Sequence, residues 1–147
     1  MKLNLGCGPR VLDGFVNLDL TDGWMFEDGL SYEDGGVEAI TISHALYLLP
    51  LEHWPAAFAE FARVLEPGGI LRVTEDATDD RASERYGGFH DAVTLTSVGL
   101  VMTHMELAGL KRVSPVPPWH SGFRDESLIQ QHHGKPPKIF HVEGVKP

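Results

Sequence analysis

The residues that could do chemistry stand in four short groups, each directly after a stretch typical of a β-strand. Two glycines in one turn let the backbone pass close to a ligand and leave N–H groups free for a carboxylate or a phosphate. An acid at the end of the second strand is well placed to accept both hydroxyls of a ribose. Together these features predict a site for a nucleoside-bearing cofactor. The four groups are Gly6-Cys7-Gly8, Asp19, Ser43-His44-Ala45 and Glu75-Asp76.

The glycine turn also bears on which cofactor is bound. A dinucleotide fingerprint requires a third glycine, in the pattern G-x-G-x-x-G, so that a helix packs closely and offers its N-terminus to the pyrophosphate. Here the third position is Val11, with Pro9 and Arg10 before it. The missing glycine disfavours a dinucleotide, although a nicotinamide-dependent enzyme stays open as an alternative because it would use the same turn.

The elements that must position these groups follow from the hydrophobic periodicity. Alternating or continuously apolar stretches predict strands, and apolar residues three and four apart predict two helices. The first helix ends at Pro67-Gly68-Gly69, and the second is bounded by Thr94 or Thr96 in front and by Gly109 behind. Residues 20–36 and 76–92 predict loops, the first with room for a short strand at 24–26. The predicted strands are 2–5, 15–19, 37–43, 70–74, a short or edge strand from Arg112-Val113, and 138–145, and the helical faces are Trp54–Leu65 and Leu95–Met105.

This order of elements indicates an α/β fold. Helices between successive strands imply a largely parallel sheet, and ligands bind such sheets at the carboxyl ends of the strands, where the four groups stand. The chain of 147 residues predicts one domain, residues 1–147. Asp19 follows Gly8 by only eleven positions, too few for a full crossover helix and a strand, so we expect a shortened first crossover.

Composition excludes several classes of protein. The net charge is −9, and the lysines and arginines are scattered along the sequence without forming a basic cluster, so we expect no nucleic-acid partner. The sequence has no apolar run long enough to span a membrane and no signal-peptide pattern at its start. A single cysteine excludes an intrachain disulfide and is typical of a reducing compartment. We therefore expect a cytoplasmic protein that does not bind membranes.

Four stretches of the sequence resemble the class I S-adenosylmethionine-dependent methyltransferases. The resemblance covers roughly residues 1–110, and its last stretch is the most specific. It implies a Rossmann-like three-layer sandwich with a mostly parallel sheet and an antiparallel C-terminal strand. It also implies S-adenosylmethionine as cofactor and S-adenosylhomocysteine as product. The stretches are Leu3–Gly8 (LNLGCG), Asn17–Asp19 (NLD), Val37–His44 (VEAITISH) and Phe61–Gly69 (FARVLEPGG).

The resemblance assigns parts of the cofactor to particular residues. In this family the glycine turn holds the methionine moiety, and the acid after the second strand binds the ribose. A later segment lies against the adenine, and the residues after the family's fourth strand line the methyl-transfer pocket. The residues implied are Asn4, Gly6, Cys7 and Gly8 for methionine, Asp19 and Leu20 for ribose, Asp28, Gly29 and Leu30 for adenine, and Ser43, His44 and Ala45 for the pocket.

The sequence departs from the family pattern in two further respects. Asn4 stands where an acid often begins the first motif, so a contact to the cofactor's ammonium group would be weaker or made by a carbonyl. The family usually has one or two helices before the first strand, and here the strand begins at residue 2. A site without that cover would be open unless a second subunit closes it, so we expect a homodimer.

Methyl transfer by such a protein needs no fixed catalytic residue. The cofactor supplies the reactivity, and a general base is needed only when the acceptor is protonated at the working pH. We expect a small-molecule acceptor and no metal; an alternative is a catalytically silent cofactor-binding module or partner subunit. His44 is a candidate base or merely a wall residue. The candidate substrate residues, each of which could instead be a solvated loop residue, are Glu75, Asp76, His90 and Asp91.

Overall fold

The computed structural model describes residues 1–76, 94, 96–117, 121 and 139–147, with Leu20 and Asp76 described by their backbone alone. Six strands and two α-helices make up the regular structure of these residues. Four short 3₁₀ turns connect them. The strands are β1 (Lys2–Leu5), β2 (Val16–Leu18), β3 (Val37–Ser43), β4 (Leu65–Asp76), β5 (Lys111–Pro115) and β6 (Ile139–Val145), the helices are α1 (Trp54–Val64) and α2 (Val98–Leu107), and the turns are Leu20–Asp22, Phe26–Asp28, Leu46–Leu48 and Leu51–His53.

The six strands form one mixed sheet in the order β2-β1-β3-β4-β6-β5. The first four strands are parallel, and β6 is antiparallel to both β4 and β5. The prediction of a mostly parallel Rossmann-like sheet with an antiparallel C-terminal strand is confirmed, that strand being β6, and β5 is a short strand at the edge, as its prolines indicated. No helix in the described part of the chain is long and apolar enough to cross a membrane.

The shortened first crossover is also confirmed, since residues 6–15 join the parallel strands β1 and β2 without a helix. Two asparagines hold this connection on the sheet. The buried Asn4 donates from Nδ2 to Arg10 O at 2.8 Å and to Asn17 Oδ1 at 2.7 Å. Asn17 in turn accepts from Leu12 N and donates to Leu12 O. The pair satisfies backbone groups of the connection, a task that a crossover helix would perform internally.

Both α-helices pack on one face of the sheet. Pro55 stands in the first turn of α1, where a missing N–H is tolerated. Trp54 and Phe58 of α1 are fully buried and contact the ring of His104 in α2, at centroid distances of 5.3 and 5.7 Å. Below them the sheet contributes Leu3, Leu5, Ile40, Ile42, Leu71, Val73, Phe140 and Val142 to the same core.

The opposite face of the sheet carries a row of polar side chains. Strand registers place one polar residue of each strand in line across the sheet, because side chains alternate between faces. Arg72 and Glu143 at the centre of the row are fully buried and form an ion pair at 2.5 Å. Ser121 also donates from Oγ to Glu143 Oε2 at 3.1 Å. The row consists of Asn17, Asn4, Thr41, Arg72, Glu143 and Ser114.

Three details of the predicted elements are wrong. Helix α2 is capped by Ser97, whose Oγ accepts from Leu100 N at 3.2 Å, rather than by Thr94 or Thr96. The segment 24–26 is not a strand; Phe26–Asp28 forms a 3₁₀ turn. Strand β4 begins at Leu65, directly after α1, with an irregular register between the pairs Val37–Leu65 and Ala39–Ile70. The Pro-Gly-Gly stretch therefore lies within this irregular part of β4.

Candidate cofactor-binding site

A cavity of about 690 Å³ opens at the carboxyl ends of β1 and β3. Its size falls within the range of small-molecule sites, about 300–1,000 Å³. Three parts of the chain form its wall: the turn after β1, the loop after β2 and the turn after β3. The lining residues are Gly6, Cys7, Gly8, Pro9, Arg10, Asp19, Trp24, Met25, Phe26, Glu27, Ser43, His44, Ala45, Tyr47, Leu48 and Leu49.

The turn after β1 requires glycine at position 6. Gly6 has φ of +64°, and a Cβ built there would lie 2.4 Å from the Cβ of Ala45. The backbone of the turn therefore touches the turn after β3 with no space for a side chain. Gly8 is also left-handed, with φ of +49°, but a Cβ there would meet nothing within 4 Å. Gly6 N donates to Leu18 O at 2.8 Å, which ties the turn to the end of β2.

Asp19 connects the glycine turn to the loop after β2. Its Oδ1 accepts from Gly8 N at 3.1 Å. Its Oδ2 accepts from Thr21 Oγ1 at 2.9 Å and from Thr21 N at 3.3 Å. These bonds fix the orientation of the carboxylate within the cavity wall.

The thiol of Cys7 forms an uncharged part of the wall. Burial raises its pKa above the ordinary value of 9.0, and the negative charges of Asp19 and Asp22 raise it further. The thiol is therefore protonated at neutral pH. It presents a polarizable, neutral surface to the cavity and is a poor nucleophile, since the thiolate is the reactive form.

The turn after β3 brings polar and strained groups to the cavity. His44 adopts φ of +53°, uncommon for a residue with a side chain, and its N donates to Thr74 O at 2.8 Å. The Oγ of Ser43 is buried without a hydrogen-bond partner among the described residues. Ala45 N and Leu46 N both donate to Glu75 Oε1, at 2.8 and 2.7 Å.

The structure gathers most of the predicted residues and separates the others. Gly6, Cys7, Gly8, Asp19, Ser43, His44 and Ala45 share the cavity wall. Asn4 lies under the first crossover and is no part of that wall. Asp28 and Gly29 line a neighbouring groove of about 570 Å³, and Leu30 is buried in the core.

Two of the four candidate substrate residues lie in β4, and the other two lie outside the described part of the chain. Glu75 is not a solvated loop residue, because it lies in β4 with a side chain that is 1% exposed. Asp76, described by its backbone alone, is the last residue of that strand. His90 and Asp91 lie outside the described residues.

Besides Pro9 and Arg10 in the glycine turn, two groups of wall residues escaped the sequence analysis. Trp24, Met25, Phe26 and Glu27 line the cavity from the loop after β2, and Tyr47, Leu48 and Leu49 line it from the turn after β3. The available signal was a pair of aromatic residues in an otherwise polar loop. Trp24 and Phe26 make an edge contact at a centroid distance of 5.0 Å, and Trp24 Nε1 donates to Gly29 O at 2.9 Å.

Two charged residues of α1 hold this loop in place. Glu60 Oε1 accepts from Leu30 N at 2.9 Å, and Arg63 donates to Leu30 O and Tyr32 O, both at 3.0 Å. The hydrogen bond from Arg63 to Glu60 lowers the pKa of the Glu60 carboxyl below its ordinary value of 4.5. The arginine of the ARVLEPGG stretch thus fixes the far end of the loop that carries Trp24 and Phe26.

Comparison with known proteins agrees with this geometry. Residues 15–73 match the family model described as a methyltransferase domain. The match spans the end of the first crossover, Asp19, the whole of β3 and α1, and most of β4. The resemblance to the class I S-adenosylmethionine-dependent methyltransferases is confirmed. No curated protein is significantly similar to the chain in sequence.

Solved methyltransferase structures share the fold over nearly the whole chain. An S-adenosylmethionine-dependent methyltransferase from Thermotoga maritima superposes with a TM-score of 0.70 at 15% identity, covering 99% of this chain and 82% of that one. One from Archaeoglobus fulgidus gives 0.68 at 11% identity, covering 99% and 85%. A chain from a complex of the Haloferax volcanii Trm112 methyltransferase activator with a methyltransferase gives 0.63 at 16%, covering 99% and 82%. At these identities the likeness establishes the fold.

The residues present fit the cofactor that the methyltransferase family implies. The glycine turn lies so close to Ala45 that a Cβ at Gly6 would clash with it. Ser43 offers a buried hydroxyl in the same wall. Asp19 supplies a carboxylate in the same wall. A cavity with a few convergent polar groups on a partly apolar wall is the usual form of a cofactor site.

Proposed function

We propose that this protein is a methyltransferase that binds S-adenosylmethionine in the cavity at the carboxyl ends of β1 and β3 and methylates a small-molecule acceptor. The observation that carries the proposal is the contact between the two turns. The left-handed Gly6 lies so close to Ala45 that only glycine fits, and this close approach forms the floor of the cavity.

The wall supports a specific orientation of the cofactor. Gly6, Cys7 and Gly8 would hold the methionine moiety, as the family resemblance implies. Asp19, fixed by Gly8 and Thr21, would accept the ribose hydroxyls. The adenine would lie against the aromatic loop of Trp24 and Phe26 rather than against Asp28, Gly29 and Leu30, because only the former line the cavity.

The chemistry required of this chain is alignment and protection from water. Bound S-adenosylmethionine supplies an electrophilic methyl group on sulfur. The protein must hold an acceptor atom in line with that group, and alignment alone can supply several kcal/mol of barrier lowering, roughly 7–11 kcal/mol in the best cases. The neutral thiol of Cys7 avoids a competing nucleophile in the wall. His44 is the wall residue that could take a proton from the acceptor.

The proposal also includes a cytoplasmic location and a homodimer. The single thiol, protonated and part of the cavity wall, is suited to a reducing compartment.

Met25 and Leu48 line the cavity and remain nearly half exposed, at 47% each, which supports a cover by a second subunit. Sedimentation equilibrium measures this directly, and a monomer at all concentrations, with and without S-adenosylhomocysteine, would exclude the dimer.

Two measurements test the proposed function. Calorimetric titration with S-adenosylhomocysteine should show one site per chain. Incubation with S-adenosylmethionine carrying a labelled methyl group and a small-molecule extract should then label an acceptor. Binding without labelling in any extract would point to a catalytically silent module, whereas absence of binding would refute the proposal.

A further inference from the structure

We infer that Glu75 is the positioning residue of this site: its buried carboxylate holds the turn after β3 in the shape that forms the cavity. The consequence for ligand binding rests on the proposed function. The hydrogen bonds themselves do not, so the two can be tested separately.

The position of Glu75 in the sheet explains how it reaches the turn. Ser43, the last residue of β3, pairs with Thr74, so Glu75 lies one residue beyond the end of its neighbouring strand. Leu71 and Val73 point into the core on the helix side, and alternation sends Glu75 to the same face. Its carboxylate therefore lies against the backbone that leaves β3.

The bonds that Glu75 makes are unusually costly to lose. Oε1 accepts from both Ala45 N and Leu46 N, at 2.8 and 2.7 Å. A buried N–H that is left without a hydrogen-bond partner carries a desolvation penalty, and here two neighbouring N–H groups depend on the same oxygen. Leu46 begins a 3₁₀ turn, so the carboxylate caps its first N–H groups as an acid caps a helix.

The turn needs such an anchor because part of it is strained. His44 is left-handed, a conformation that a non-glycine residue keeps only when its surroundings impose it. Thr74 O holds His44 N on one side of the strained residue, and Glu75 holds the next two N–H groups on the other. Without Glu75 the turn is free to relax toward an ordinary backbone conformation.

Relaxation of this turn would change the cavity at its floor. The Cβ of Ala45 lies 2.4 Å from the position that a Cβ of Gly6 would take, and Ser43 contributes the buried hydroxyl. Both flank the strained His44. If the competent shape is populated in only a fraction of molecules, the apparent dissociation constant rises by the inverse of that fraction.

The test compares Glu75→Gln with a control variant in the preceding residue, Thr74→Val, which keeps the backbone carbonyl that accepts from His44 N. Glu75→Gln keeps the shape and one acceptor oxygen but replaces the other carboxyl oxygen by an amide NH₂ group, which donates and cannot accept. Thr74→Val removes a buried hydrogen bond to His141 Nδ1 on the other face of the same strand, away from the cavity. Both should lower the melting temperature. Only Glu75→Gln should weaken binding of S-adenosylhomocysteine, by about tenfold, and Glu75→Ala by more.

Hydrogen exchange separates this inference from the proposed function. The amides of Ala45 and Leu46 should exchange at least about tenfold faster in Glu75→Gln than in wild type, without any ligand present, while those of β3 keep their protection. Unchanged exchange at both amides would overturn the positioning role, as would equal loss of affinity in Glu75→Gln and Thr74→Val. If wild type fails to bind S-adenosylhomocysteine, the proposed function fails, and the exchange result still decides the role of Glu75.

Discussion

Replacing Gly6 by alanine probes the contact on which the proposed site depends. Two costs add at this position. A left-handed residue with a Cβ costs about 1–2 kcal/mol, and Gly6 has φ of +64°. Its new Cβ would also lie 2.4 Å from the Cβ of Ala45. Overpacking of this kind costs about 1–3 kcal/mol. Together these predict that Gly6→Ala lowers the free energy of unfolding by about 2–5 kcal/mol.

Two other glycines provide matched controls for the backbone cost. Gly8 and Gly14 are also left-handed, with φ of +49° and +78°, and a Cβ at either would meet nothing within 4 Å. Gly8→Ala and Gly14→Ala should therefore cost only about 1–2 kcal/mol each. The difference between Gly6→Ala and Gly14→Ala isolates the contact with Ala45.

The assay is equilibrium unfolding in urea, followed by calorimetric titration of the folded variants with S-adenosylhomocysteine. A typical domain has about 5–15 kcal/mol of stability, so Gly6→Ala should remain measurable. It should also bind the ligand more weakly than Gly14→Ala does, because the new methyl group displaces the floor of the cavity. Equal unfolding free energies for these two variants would show that the two turns do not touch, and would refute the reasoning.

Three further predictions concern the wall of the cavity and the loop that forms it. Asp19→Ala should weaken binding of S-adenosylhomocysteine by about tenfold or more in calorimetry, because Gly8 N and a ribose hydroxyl both lose their acceptor. Glu60 has its pKa held below 4.5 by Arg63, so its contribution to stability is present above that value and is lost as the pH falls below it. The melting temperature of wild type should therefore fall further than that of Glu60→Gln when the pH is lowered from neutral to the acid range. The fluorescence of Trp24 should change on titration with S-adenosylhomocysteine, because its ring lines the cavity.

Each of these predictions has an outcome that contradicts it. Undiminished binding by Asp19→Ala would remove the ribose assignment. Parallel acid profiles for wild type and Glu60→Gln would show that the carboxylate of Glu60 is not stabilised by Arg63. A fluorescence change that persists in Trp24→Phe would come from Trp54 or Trp119 and not from the loop.

Local sequence chemistry was sufficient to predict most of the fold and the centre of the site. Alternation identified β1, and a nearly continuous apolar, β-branched run identified β3; Leu3, Leu5, Ile40 and Ile42 from these strands all point into one core. The spacing of Trp54, Phe58 and Phe61 identified α1. Gly6 and Asp19 stood out because their types suit a close backbone approach and a ribose, and both line the cavity.

The remaining features depend on contacts between distant parts of the chain. Nothing in its neighbours along the chain distinguishes Glu75 from a solvated acid; its role depends on the amides of Ala45 and Leu46, about thirty residues earlier. Arg63 reads as a polar residue on the outer face of α1, yet it donates to carbonyls of Leu30 and Tyr32. Such partners are set by tertiary packing, which periodicity does not report.

Mapping of amide chemical shifts in labelled protein on addition of S-adenosylhomocysteine tests the central claim most directly. The account predicts the largest changes at Gly6, Cys7 and Gly8, at Ser43 and Ala45, and at the indole N–H of Trp24, all of which belong to one cavity wall. Absence of changes at saturating ligand, or changes confined to the neighbouring groove of Glu52, His53 and Ala56, would contradict it.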